Sequence, residues 1–400
     1  MNSWEHGGDI YRHSIKMDFS VNVNPMGVPE SVKKALEQAV GKVENYPDPQ
    51  AEQLRESIAM MLNENEIITE NTEKLAYFRM ENKFGENFYS KRECVETPIG
   101  NSVVQTEFVQ MKKMPLVRIF SENIICGNGA SELFFAIVRA LSPENIVIPI
   151  PSFYGYEHAA KNAEFVPLSE KNGFAVTDRL CDSLQTERAL LFLANPNNPT
   201  GKCIPEATLL RILEHCRSRQ ITVVLDECFA EFTKQSRGAL DYLDEFPNLV
   251  IVRAFTKLFA MPGARLGYLL CKNKNLREQI AAQLPEWNLS VFAQAAGIAA
   301  AGESDYRRIT PDYVKKEREF LKAQLSKYPQ IQVLSGEANF LFLRSSLPLA
   351  EDLLENGILI RDCSNYRGLG NGYYRIAVKS REENEELLRN IDKINEKHKS

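Results

Sequence analysis

Four hundred residues, 44% hydrophobic and 25% charged, are enough for one large or two medium globular domains and exclude a fibrous, collagen-like or disordered chain. The formal net charge of −5, with 48 basic residues scattered along the chain, gives no electrostatic footprint for nucleic acid. Apolar runs such as 189–194 fall far short of the roughly 18 residues that cross a bilayer, so no membrane partner is expected. The 8 cysteines form no C-x-x-C pair and the 5 histidines no H-E-x-x-H, which argues against a metal site and fits reduced thiols in the cytoplasm. The first residues carry neither a basic n-region nor an apolar h-region, so no secretory leader is expected.

Residues 1–45 form an N-terminal segment, expected to pack on a small domain and the active site. Residues 46–275 form a large domain. Within it, 64–118 holds Tyr77, Phe78, Phe84, Phe88, Tyr89 and Phe108, too aromatic for a flexible linker, and reads as an ordered insertion. Beyond it, 145–150, 189–194, 221–225 and 249–255 read as short buried strands, with a helix over 205–217 opened by Pro205 in its first turn. Strand, helix, strand at this spacing implies crossover connections and a mostly parallel sheet, whose ligands collect at the carboxyl ends of the strands. Residues 276–400 read as a smaller C-terminal α/β domain: a charged helix over 312–327, strand-like runs at 331–334, 339–343, 358–360 and 373–378, a helix at 349–356, and a terminal helix from Glu382.

Four segments carry chemistry, and each of them follows or ends a strand. Gly127-Asn128-Gly129-Ala130-Ser131-Glu132 precedes an apolar helical run; its small residues let backbone N–H groups approach an anion favoured by the helix dipole. Alone, it reads equally as a glycine turn capped by Ser131. Asn195-Pro196-Asn197-Asn198-Pro199-Thr200-Gly201 is a loop stiffened by two prolines that presents amides at the sheet edge. Asp226 ends a strand, where a carboxylate can hold a proton on a heteroaromatic nitrogen or simply cap a helix. In Thr256-Lys257-Leu258-Phe259-Ala260-Met261-Pro262-Gly263-Ala264-Arg265, a lysine among apolar neighbours can lose its proton and form a Schiff base, although most lysines are solvated surface groups.

Taken together and in this order, the segments resemble the fold-type I pyridoxal-phosphate enzymes of the class I/II aminotransferase superfamily. The resemblance covers most of the chain outside 64–118. It implies the aspartate aminotransferase-like α/β fold, pyridoxal 5'-phosphate as cofactor, and a homodimer with shared active sites. It implies Lys257 as the Schiff-base lysine and Asp226 as the partner of the pyridine nitrogen, which makes the ring an electron sink. Asn198 is implied on the ring hydroxyl, Gly129, Ala130, Ser131, Thr256 and Arg265 around the cofactor phosphate, and Phe153 stacked on the ring. Tyr46 matches a tyrosine that reaches the neighbouring subunit's cofactor, and Arg375 the arginine that binds the substrate α-carboxylate.

Within the superfamily, His6-Gly7-Gly8-Asp9, the run Asp18 to Pro25 containing Asn22, and Arg361-Asp362-Cys363-Ser364-Asn365-Tyr366 resemble L-threonine-O-3-phosphate decarboxylases of cobalamin biosynthesis. Phe229 fits that branch, because histidinol-phosphate aminotransferases usually carry a tyrosine there. In both branches an arginine at the position of Arg361 contacts the substrate phosphate, and a guanidinium suits phosphate better than an ammonium does. His6, Asn22, Arg361 and Arg375 are the implied substrate contacts. Two departures bear on substrate choice: the insertion, and Ala254 where many relatives carry a serine. The expectation is therefore decarboxylation of a small phosphorylated amino acid, with histidinol-phosphate-type amino transfer as the alternative. A catalytically silent binding or regulatory protein that kept the fold is the reading from a different class.

Overall fold

A computed structural model describes residues 7–73, 80–81, 87–96, 102–109, 117–233 and 238–398, with side chains for all of these outside 65–116. Its largest element is a seven-stranded sheet of β1 (Ile124–Gly127), β2 (Ile146–Ile150), β3 (Ala163–Pro167), β4 (Leu190–Ala194), β5 (Thr222–Asp226), β6 (Leu249–Ala254) and β7 (Gly267–Leu270). The spatial order is β1-β7-β6-β5-β4-β2-β3, and β7 runs antiparallel to both neighbours while the other adjacent pairs are parallel. Strand side chains alternate between faces, and here both faces are covered. Val223 and Leu225 enter one apolar core, while Val224 between them enters the other. That is why these strands are continuous apolar runs and not alternating ones.

The smaller sheet is antiparallel, in the order Ile331–Leu334, Phe340–Ser345, Tyr373–Ala377, Arg361–Asp362. It packs with Leu387 and Ile391 of the terminal helix Arg381–Lys397, which opens on a capping box between Ser380 and Glu383. Phe19 from the N-terminal segment is buried in the same core, and Met17–Asp18 pairs in parallel with Ile358–Leu359.

The large sheet ends at Leu270, and the following helices bury Ile280 and Ala296 against it. Core membership passes to the small sheet inside the helix Ser304–Leu325, where Tyr306 and Val314 belong to the large core and Leu321 and Leu325 to the small one. That helix begins eight residues before Asp312 and runs through Pro311. An interior proline costs about 3 kcal/mol, and burial of Tyr306, Thr310 and Val314 on one face offsets it. Pro205 is the N-cap of Glu206–Ser218 and not a residue of its first turn.

Over 64–118 the backbone continues the helix Glu52–Glu73 and then forms antiparallel strands Asn87–Glu96 and Ser102–Val109, with Met80–Glu81 beside the first. Tyr77, Phe78 and Phe84 lie outside the described residues; Phe88, Tyr89 and Phe108 lie on strands described by backbone only. No helix among the described residues is long and apolar enough to cross a membrane.

One ion pair sits within the large core. Arg253 on β6 donates from Nη2 and Nε to Glu227 Oε2 at 2.7 and 3.0 Å, and the Ala239 N–H donates to Glu227 Oε1 at 2.7 Å. The two side chains are 1% and 0% exposed. Removing one partner of such a pair strands a buried charge at a cost of about 3–5 kcal/mol. Glu227→Ala should lower the unfolding free energy obtained from urea titration by that much, and a loss below about 1 kcal/mol would contradict a charged buried pair.

Candidate active site

The carboxyl ends of β1, β2, β4, β5 and β6 open on one edge of the large sheet, facing the small sheet across a cleft of about 420 Å³. At the end of β1, Gly129 takes φ +79 and leads into the helix Ala130–Leu141. No side chain caps this helix, so its first N–H groups remain available to an anion, and the alternative in which Ser131 caps the turn does not hold. Space is reserved there as well. A Cβ on Gly129 would stand 2.6 Å from Arg265 Nη2, and one on Gly267 would stand 2.6 Å from the Ala130 nitrogen. Arg265 is itself held in the left-handed region at φ 54, with Nη1 donating to the Pro262 carbonyl at 3.1 Å. Ser131 and Thr256 line the same end of the cleft.

Asp226, the last residue of β5, is 8% exposed. It accepts from the Cys228 N–H at 2.9 Å and from the Tyr156 hydroxyl at 2.5 Å, with no ion pair among the described residues. Burial pushes its carboxyl above the usual range, while these bonds and nearby Lys257 pull it down. Burial, reinforced by Asp226, pushes the Tyr156 hydroxyl well up, so Tyr156 stays a donor. Lys257 follows β6 on the short helix Phe255–Leu258. Burial and the like charges of Arg375 and Arg265 lower its amine to about 8, against partial compensation from Cys228 and Asp226. Its backbone is tied to the N-terminal segment, since Asn24 donates its N–H to the Lys257 carbonyl at 2.9 Å and its amide to the Leu258 carbonyl at 2.9 Å.

The opposite wall comes from the small sheet. Arg361 and Arg375 are direct cross-strand partners, so both guanidiniums reach the cleft side by side. Arg375 donates from Nη1 to Asn198 Oδ1 at 2.5 Å and from Nη2 to the Ser20 carbonyl at 2.8 Å. Asn22, with its amide oxygen turned inward, accepts from Arg375 Nε at 3.1 Å. Arg361 donates to Asn365 Oδ1 at 2.8 Å and lies 5.2 Å from the Tyr366 ring centroid. Like charges directly opposite on adjacent strands repel, and a bound anion between them removes that cost.

Asn22, Gly129, Ala130, Ser131, Phe153, Asn198, Asp226, Thr256, Lys257, Arg265, Arg361 and Arg375 therefore line one cleft. Tyr46 does not: it is 81% exposed and packs on Trp287 at 4.7 Å between ring centroids. His6 lies outside the described residues. Gly7, Ser20, Phe134, Cys228 and Tyr366 line the cleft without having been singled out, and Tyr156 stands behind Asp226. Ser20 and Tyr366 lay inside motifs already noted. Tyr156 gave no signal beyond following Phe153 by three residues.

The chain matches the pattern described as Aminotransferase class I and II over residues 104–391. It is similar to the threonine-phosphate decarboxylase of Salmonella typhimurium, 30% identical with 96% of this chain and 94% of the relative covered. It is also similar to a histidinol-phosphate aminotransferase of Clostridium kluyveri, 36% identical over 70% of this chain and 79% of that protein. In structure it resembles the histidinol-phosphate aminotransferase of Clostridium acetobutylicum, with TM-score 0.75, 27% identity, and 95% and 99% of the two chains covered. The chain belongs to the class I and II aminotransferases and has their aspartate aminotransferase-like fold. It is accordingly a pyridoxal-phosphate-dependent enzyme. The cleft suits that cofactor: an uncapped helix start with reserved space for its phosphate, a buried carboxylate for its ring nitrogen, and an amine of lowered basicity for its aldehyde.

The lowered amine can be checked directly. In cofactor-free protein treated with a small neutral aldehyde and borohydride, labelling of Lys257 should rise through a midpoint near pH 8 as the neutral amine forms. A midpoint at the ordinary lysine value of 10.5 would contradict the desolvated setting.

Proposed function

We propose that this enzyme decarboxylates a small phosphorylated amino acid, L-threonine O-3-phosphate first, giving CO₂ and aminopropanol phosphate. The observation that carries this reading is the register pair Arg361–Arg375: two guanidiniums side by side suit a ligand with an anion at each end of a short chain. Arg375, braced by Asn198, Asn22 and the Ser20 carbonyl, holds the α-carboxylate, and Arg361 holds the phosphate. Pyridoxal phosphate, when bound, supplies the electron sink for the pair left by a broken Cα bond. Asp226 would keep the ring nitrogen protonated, its own charge steadied by the Cys228 N–H and the Tyr156 hydroxyl. Phe153 would cover the ring. Lys257 would hold the cofactor between turnovers and, as a free amine, would return a proton to Cα where the carboxylate left. The relatives named as threonine-phosphate decarboxylases support the substrate, with 30% identity along nearly the whole chain.

Amino transfer of the histidinol-phosphate type is the second reading, favoured by the 36% identity of the Clostridium kluyveri relative. The two readings differ in which Cα bond the arginines hold perpendicular to the ring. A homodimer fits the exposed ring pair Tyr46–Trp287 with exposed Val40 and Val43, a surface that a second copy would cover. The described cysteines are all free, which supports a reducing, cytoplasmic setting.

Incubating the holoenzyme with O-phospho-L-threonine should release CO₂ and aminopropanol phosphate in equal amounts, without a keto acid. Amino exchange that needs a keto acid and yields no CO₂ would establish the alternative. Lys257→Ala should abolish both turnover and the visible absorption of the bound cofactor. Arg361→Ala should weaken phosphorylated substrates by roughly 30-fold or more, the loss typical of a charge-assisted contact, and unphosphorylated analogues far less. Equal losses would remove the phosphate role of Arg361.

A further inference from the structure

Arg361 occupies an exacting position with little local support. It lies on the two-residue strand Arg361–Asp362 at the edge of the small sheet, paired on one side only, with the like-charged Arg375 directly opposite. Its guanidinium is held by Asn365 and Tyr366, both in the loop 363–372 that connects this strand to Tyr373–Ala377. That loop is anchored to the other domain. Arg367 donates from Nη2 to Glu157 Oε1 at 2.5 Å and from Nε to Glu157 Oε2 at 3.2 Å, a two-pronged contact. Its guanidinium also lies 4.2 Å from the ring centroid of Phe165 on β3. One residue later, Gly368 at φ +86 seats the loop backbone against the side chain of Ile150 at the end of β2. Glu157 belongs to the helix Tyr154–Ala159, whose N-cap is Phe153. One contact therefore joins the loop that holds Arg361 to the helix that begins at the aromatic lining the cofactor site.

We propose that Arg367 and Glu157 form a clasp between the two domains that positions Arg361 and so sets the preference for a phosphorylated over an unphosphorylated amino acid. The proposal rests on Arg361 being the phosphate cation. Arg367 is a positioning residue, about half exposed and acting through Asn365 and Tyr366. An exposed ion pair contributes little to global stability, so its effect should show in substrate selection and not in unfolding. With the clasp open, Arg361 is free to swing away from Arg375, and the phosphate loses an aligned partner. Arg375 is braced by Asn198, Asn22 and Ser20, of which Asn22 and Ser20 stand clear of the loop while Asn198 touches it through the Tyr366 hydroxyl at 3.4 Å.

The test measures kcat and KM of the holoenzyme for O-phospho-L-threonine, and the inhibition constant of L-threonine, in wild type, Arg361→Ala, Arg367→Ala and the double variant. Arg367→Ala should raise KM for the phosphorylated substrate roughly five- to ten-fold, a coupling usual for residues in contact networks. It should leave the L-threonine constant, kcat and the thermal midpoint unchanged, and add nothing once Arg361 is alanine. Glu157→Gln, close in size, should give the same pattern, and Glu157→Arg combined with Arg367→Glu should recover part of the selectivity. Equal losses on both ligands, or full additivity with Arg361→Ala, would overturn the clasp while leaving the phosphate role of Arg361 intact. An Arg361→Ala variant that itself fails to discriminate would overturn the phosphate role and the clasp together.

Discussion

The site is organised around two neighbouring buried carboxylates that the fold treats differently. Glu227 turns into the core and is neutralised there by Arg253. Asp226, one residue earlier, faces the cleft, where it accepts from a backbone N–H and a phenol and has Lys257 nearby without a direct ion pair among the described residues. An ionised carboxylate removed from water is costly unless a cation meets it, and burial accordingly drives Asp226 upward. A protonated pyridine nitrogen would supply a countercharge to Asp226 when the cofactor is bound.

The rest of the cleft reverses the sign. Lys257, Arg265, Arg361 and Arg375 converge on one volume, although the chain as a whole carries a net charge of −5. Burial, helped by the like charges of Arg375 and Arg265, lowers the Lys257 amine toward the neutral, nucleophilic form, and the gathered cations suit the cleft to anionic groups. Precision comes from distant parts of the chain. Asn24 holds the backbone at Lys257, Ser20 holds Arg375 across a separation of 355 residues, and Asn198 at the end of β4 bonds the same arginine. The N-terminal segment also reaches the core behind the small sheet, through Phe19, and pairs Met17–Asp18 with Ile358–Leu359.

Much of this was legible in the sequence because the large sheet is covered on both faces. Its central strands are apolar in their interiors apart from Arg253, so the polar residues at or just past their ends, Asp226, Asn195 to Gly201 and Lys257, stood out. The glycines around residue 129 were legible for their smallness, though only the structure shows that Arg265 fills the space a side chain would take. What could not be read depends on contacts between distant segments. Tyr156 looks like any helical tyrosine until it meets Asp226. Pro311 lies inside the helix Ser304–Leu325 for a related reason, since the local rule against interior proline yields to the buried face of Tyr306, Thr310 and Val314. The core of the large sheet likewise extends into the helix Ser304–Leu325 through Tyr306 and Val314, packing that no local pattern shows.

The geometry leaves one chemical choice, the Cα bond that breaks when the two arginines hold the substrate, and an isotope at that carbon reports it. O-phospho-L-threonine deuterated at Cα should yield aminopropanol phosphate that keeps the deuterium and gains one solvent proton at the same carbon as CO₂ leaves. Loss of the deuterium to solvent with the carboxylate retained would contradict the account and make the enzyme an aminotransferase.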